Sequence, residues 1–145
     1  MPGRIAASGG ADDATARAVL DGLNAFNDAA AGPGGHAALV LSVFRDGEAA
    51  PAGGLVGHVG FGWLFVRLFF LPDDLRRQGL GKELLRRAED EARARGCVGV
   101  HLDTFSFQAR GFYEKQGYAV FGTLPDCPPG HSRFFLSKRL HALQA

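Results

Sequence analysis

Neither sign of charge dominates this chain of 145 residues: Lys and Arg number 16 and Asp and Glu 15, a formal net charge of +1. Such a balance gives no general attraction to nucleic acid or to an anionic membrane, so any anion site must be local. Long apolar runs are also missing. The longest, residues 62–71, is broken by Arg67 and has the length of a strand, not of a membrane span. Residues 1–10 lack the apolar centre of a secretory signal, and a cytoplasmic protein is the expectation. Cysteine is scarce. Cys97 and Cys127 stand far apart, with no Cys or His partners at metal-ligand spacing, so no metal site is expected. Cys97, beside Val98 and Val100, reads as a small buried thiol. Cys127 falls in a Pro-Gly turn, where nothing near it in sequence would lower its pKa. There is no internal repeat and no linker. A single domain over residues 1–145 is expected, with 46% hydrophobic residues to build one core.

What is present is a change of period. Residues 4–7 read as a short first strand. Asp12 and Asp13 open a helix in which Ala16, Val19, Leu20, Leu23 and Phe26 recur at helical spacing, and Gly32-Pro33-Gly34-Gly35 ends it. Residues 38–44 alternate as a strand, followed by an Arg45-Asp46-Gly47 turn, a glycine-rich strand at 53–61 and a dense apolar strand at 63–71, expected to be covered on both faces. From residue 80 to 95 one apolar stripe, Leu80, Leu84, Leu85, Ala88 and Ala92, marks an amphipathic helix with a charged opposite face and Gly96 as its C′ residue. A strand at 98–102, a short helix at 108–116 and a strand pair at 118–124 and 133–136 complete an α/β pattern. Strands 63–71 and 98–102 flank a helix and should pair in parallel.

The segment from Leu71 to Lys82, Leu-Pro-Asp-Asp-Leu-Arg-Arg-Gln-Gly-Leu-Gly-Lys, joins the apolar strand to the long helix. It has the makings of an anion site. The first turn of a helix has N–H groups without intrahelical partners and the positive end of the macrodipole. Gly79 and Gly81 let phosphate oxygens approach the backbone, with Arg76, Arg77 and Lys82 at the rim. It is neither a Walker loop, because position 76 is Arg, nor a dinucleotide fingerprint, because position 84 is Leu. The plainer reading of the glycines alone is a tight connection with solvent-facing arginines.

Arg76-x-x-Gly79-x-Gly81 resembles the acetyl-CoA motif of the GNAT superfamily of N-acetyltransferases. Residues 109–118, Ala-Arg-Gly-Phe-Tyr-Glu-Lys-Gln-Gly-Tyr, are similar to that superfamily's later Ala-x-x-hydrophobic-Tyr-Glu-Lys-x-Gly-Phe/Tyr motif. The two stand in the right order at about the expected separation, and the resemblance runs from about residue 62 to 122. It implies an α/β fold with a mixed central sheet and flanking helices, and transfer of an acetyl group from acetyl-CoA to a primary amine of a small molecule or peptide. It also implies that the strand before the loop and the next parallel strand splay apart around the cofactor arm. On this resemblance the cofactor contacts are Phe70, Leu71, Arg76, Arg77, Gln78, Gly79, Leu80, Gly81, Lys82 and Ser106. Ser106 stands where the superfamily often has Asn, so a weaker contact is implied there.

Tyr113 is the implied general acid, protonating the departing thiolate; the plain alternative is a packed ring. The superfamily's carboxylate on the central strand is absent, and Arg67 stands on that strand instead. The proton acceptors to weigh are Asp103, Glu48, His58 and His131, with His131 on a turn able to overhang the site. Phe105 and Phe107 read as core residues or as a wall of the acceptor pocket. Two rival functions stay open: a transferase of another acyl group, and a non-catalytic acyl-CoA-binding or sensing module. No nucleic-acid or membrane partner is expected. Members of this fold often dimerise, so a homodimer is within expectation.

Overall fold

In the computed structural model residues 3–7 and 13–141 are described. Residues 3–7 have no regular structure, against the expected strand at 4–7. With Ile5 99% exposed, that segment has too little apolar surface to hold a strand in place. Helix α1, Asp13–Ala31, carries the Val19, Leu20, Leu23 and Phe26 stripe; Asp12 lies outside the described residues. Contact density separates residues 1–34 from the rest of the chain.

From Gly35 onward the chain forms one six-stranded sheet. The strands are β1 (Ala37–Val43), β2 (Gly53–Gly60), β3 (Trp63–Phe70), β4 (Gly99–Phe105), β5 (Ala119–Pro125) and β6 (Ser132–Arg139), in the order β1-β2-β3-β4-β6-β5. Only β3 and β4 run parallel, the pairing expected across the helix between them. That helix, α2 (Leu80–Ala94), lies on the sheet through Leu84, Leu85, Ala88 and Ala92. The short α3 (Arg110–Lys115) adds Phe112 and Tyr113 to the same core. Helix α3 starts later than expected because the Gln108 side chain caps the end of β4: its Oε1 accepts from Phe105 N at 2.9 Å and from Thr104 Oγ1 at 3.2 Å.

β3 is not a uniformly covered strand. Gly57 pairs with Val66 and Val56 with Leu68, so Arg67 is an extra, bulged residue. The bulge resets the alternation. Leu64 and Val66 face the core, and after it Phe69 and Leu71 do, while Leu68 and Phe70 are more than half exposed. A bulge of this kind bends the strand and re-aims the side chains beyond it.

Two polar side chains are buried among the described residues, Thr104 and Glu89. Glu89 of α2, 4% exposed, accepts from Tyr118 Oη at 2.8 Å and from Lys138 Nζ at 2.9 Å. Burial, and next the Glu89 carboxylate, push the Tyr118 hydroxyl above its ordinary pKa, so it stays a donor. Tyr118→Phe takes one donor from a buried carboxylate and should cost about 1–3 kcal/mol. Urea unfolding should show the lower midpoint with an unchanged slope.

Candidate active site

The site begins where β3 and β4 part. Their last paired rung is Val66 with Leu102. Beyond it β3 stays on β2 as far as Phe70–Gly54, and β4 stays on β6 as far as Phe105–Arg133. Each strand keeps to its outer neighbour, and the backbone edges of residues 67–70 and 103–105 face a gap.

At the mouth of that gap lies the loop before α2. Pro72 leads into a single 3-10 turn, Asp73–Leu75. Side chains hold the loop: Arg45 grips Asp74 with Nε–Oδ2 at 2.8 Å and Nη2–Oδ1 at 2.9 Å. Gln78 Nε2 donates to Asp74 O at 2.8 Å, and Arg76 Nε donates to Leu71 O at 2.7 Å while its Nη1 meets Asp73 at 2.7 Å. The Arg45 guanidinium holds the Asp74 carboxyl below the usual carboxylate range.

The backbone is left unpaired in return. Leu75 N and Arg76 N close the 3-10 turn and Glu83 N closes the first turn of α2 on Gly79 O. Between them, the N–H groups of Arg77, Gln78, Gly79, Leu80, Gly81 and Lys82 donate to no group among the described residues. Arg77 and Gly79 both adopt positive φ, 66° and 76°, which curls these amides around the start of the helix. Arg77 and Lys82 carry no ion pair among the described residues, whereas Arg76 is paired with Asp73. A row of free amides and two unpaired cations at a helix start fit a pyrophosphate, and the open strand edges fit a chain bearing amide groups.

Tyr113 of α3 packs beside Phe69 of β3. Its ring lies 6.2 Å from Phe69 of β3 and 5.3 Å from Phe112, and it feels the charge of Asp103 on β4. It is 6% exposed, and no described side chain pairs with its hydroxyl. Burial first, and Asp103 second, keep the phenol protonated, pushed up to about 12.

The four candidate proton acceptors fare differently. Asp103 accepts from Arg133 Nε at 3.0 Å and is approached by Nη2 at 2.9 Å, an ion pair that sequence reading missed because the partners lie 30 positions apart. Glu48 pairs loosely with Arg45 at 3.8 Å. His58 lies on β2 with its Nε2 3.0 Å from His36 Nδ1. His131, on the β5–β6 turn, comes to Ser106 at the end of β4, with Nδ1 3.2 Å from Oγ. Phe107 is not a core residue: it is 56% exposed, stacked on Phe105 at 5.3 Å, with the His131 ring edge-on at 5.0 Å. Glu89, which sequence reading assigned to neither face of α2, belongs to its buried side. Glu89 is four residues after Leu85 and one after Ala88, a spacing that marks the buried edge of the stripe.

Residues 13–118 match the Acetyltransferase (GNAT) family. The chain belongs to that family. It is 40% identical to Acetyltransferase Atu2258 of Agrobacterium fabrum over 89% of this chain and 93% of that protein. It is 47% identical to the Blasticidin-S acetyltransferase of Streptomyces morookaense over 70% of this chain and 76% of that one. The crystal structure of an acetyltransferase from Bacillus cereus superposes with a TM-score of 0.80 at 29% identity, over 93% of this chain and 98% of that one. This GNAT protein is an acetyltransferase, and acetyl-CoA is its acetyl donor. Among the described residues no helix is long and apolar enough to cross a membrane.

The two loop glycines should separate in their responses. A Cβ on Gly81 would meet Phe112 and Leu71 at 3.5 Å and 3.7 Å, ordinary contacts, so Gly81→Ala should fold normally. Gly79 has open space but a positive φ, so Gly79→Ala should cost about 1–2 kcal/mol from backbone strain alone. Gly81→Val adds a Cβ bearing two methyl groups at the start of α2, beside Phe112 and Leu71. It should weaken acetyl-CoA binding more than tenfold, about 1.4 kcal/mol, by titration calorimetry on folded protein.

Proposed function

We propose that this enzyme transfers the acetyl group of acetyl-CoA to a primary amine by direct attack, with both substrates bound together. The observation that carries the reading is the position of Tyr113. Its ring sits beside Phe69 of β3, beyond the last β3–β4 rung, close enough to feel the Asp103 charge on β4, and its proton is retained at working pH. Acetyl-CoA brings a thioester, and a thiolate leaves when the amine takes the acetyl group. The amides of Arg77, Gln78, Gly79, Leu80, Gly81 and Lys82 hold the pyrophosphate, helped by the Arg77 and Lys82 charges. Arg76 contributes chiefly by fixing Leu71. The open edge of Phe70 and the N–H of Leu71, whose carbonyl is taken by Arg76, hold the cofactor arm and offer an N–H to the thioester oxygen. Tyr113 gives its Oη proton to the leaving sulfur. His131 takes the proton that the attacking amine must lose.

Of the two acceptor classes, a small molecule is favoured over a peptide. The relative named for blasticidin S, a small-molecule acceptor, supports this choice. So does the exposed ring of Phe107, a compact surface beside His131.

Tyr113→Phe keeps the packed ring and removes only the proton. kcat should fall by about 10²–10⁴-fold while acetyl-CoA affinity is nearly kept. A kcat within twofold of wild type, where chemistry limits the rate, would exclude the role.

No residue presents itself as a covalent carrier. Cys97 is buried, and burial pushes its thiol up. Cys127 lies beside Arg133, on the turn between β5 and β6. Cys97→Ala and Cys127→Ala should both keep transfer activity, initial-rate plots for the two substrates should intersect, and intact mass spectrometry after acetyl-CoA alone should show no stoichiometric adduct. A cysteine-bound acetyl group that an added amine removes at the catalytic rate would overturn direct transfer.

A further inference from the structure

We infer that Ser106 is a positioning residue for His131, holding the imidazole in the tautomer that leaves Nε2 free to accept a proton. The inference rests on the proposed role of His131 and gives Ser106 a task other than contact with the cofactor arm. Three hydrogen bonds define the geometry. Ser106 N donates to Ser132 O at 2.8 Å, Ser132 N donates to Ser106 Oγ at 3.1 Å, and Oγ lies 3.2 Å from His131 Nδ1. The first two clamp the end of β4 to the start of β6 and fix where the hydroxyl oxygen stands. That oxygen accepts from Ser132 N–H and keeps a second lone pair; on this inference the lone pair accepts from His131 Nδ1–H and the exposed Ser106 O–H turns to solvent.

The backbone of the turn fixes the other end of the histidine. His131 N donates to Pro128 O at 2.9 Å, and His131 O accepts from Cys127 N at 3.1 Å. The edge-on contact with Phe107 limits ring rotation. An imidazole with its Nδ1–H engaged has its basic lone pair on Nε2, the atom that points away from the clamp. Without the partner at Nδ1 the neutral ring is free to carry its proton on Nε2, and that form cannot act as a base there. On this inference Ser106 acts through His131.

The test compares Ser106→Ala, Ser106→Thr and His131→Gln in the full chain. Ser106→Ala should lower kcat about tenfold, less than His131→Gln, with the acetyl-CoA Kd within twofold of wild type. Ser106→Thr, which keeps the hydroxyl, should restore most of the rate. Adding Ser106→Ala to His131→Gln should lower kcat no further. A purely structural role would not move the ¹⁵N chemical shifts of the His131 ring. These should report Nδ1–H in wild type and Ser106→Thr, and a shift toward Nε2–H in Ser106→Ala. The same tautomer in wild type and Ser106→Ala, or a loss of acetyl-CoA affinity in place of kcat, would overturn the inference. A wild-type chain that binds acetyl-CoA but acetylates no amine would overturn the transferase reading instead, and His131→Gln at wild-type kcat would remove the base on which Ser106 acts.

Discussion

The separation of β3 from β4 is the constraint on which the site depends. A parallel pair that stays in register has no room between its strands. Here the pair is broken after Val66 and Leu102 because each strand has a stronger commitment elsewhere. The bulge at Arg67 turns β3 with β2, and β6, inserted between β4 and β5, draws β4 the other way. The cost is a set of unpaired backbone groups, which a folded protein seldom leaves without a partner. Their concentration at one end of one gap, together with six free amides at the start of α2, gives the molecule an opening that a long ligand carrying carbonyls, amides and phosphates can complete.

Rigidity around that opening comes from side chains that seize the main chain. Arg45 holds Asp74, Gln78 and Arg76 reach back to backbone carbonyls, and Gln108 closes the end of β4. The loop is thus shaped before any ligand arrives, and little ordering entropy remains to be lost on binding. Beneath it the Glu89–Tyr118–Lys138 group joins α2, the residue before β5, and β6. A fully satisfied buried polar group of this kind favours one packing arrangement over near alternatives.

Much of this was readable in the order of residues, for a physical reason. Local period announces elements: the Leu80–Ala92 stripe marks a helix face, and the run at 63–71 has the length of a strand. The glycine and arginine positions around residue 79 announce the helix start. What escaped depends on partners far along the chain. The bulge at Arg67 is invisible because an unbroken apolar run has no alternation for an extra residue to disturb. The place of β6 between β4 and β5, the Arg133–Asp103 ion pair and the meeting of Ser106 with His131 all depend on pairing across roughly thirty positions. Phe107 looked like core because aromatic character says nothing of direction. Once β4 ends at Phe105, the turn carries Phe107 outward.

The incomplete first turn of α2 ties folding to metabolism. Helix ends with unmet donors are where a structure opens most readily, and on the proposed placement of the pyrophosphate this one would be completed by a ligand that the unfolded chain cannot bind. Occupancy and conformational stability are then two readings of one quantity: a cofactor present at a hundred times its dissociation constant adds about 2.7 kcal/mol to the free energy of unfolding. A cell rich in acetyl-CoA or in free coenzyme A would hold this enzyme in a sturdier form than a starved one. Its lifetime against proteolysis would track the cofactor pool without any dedicated regulatory site.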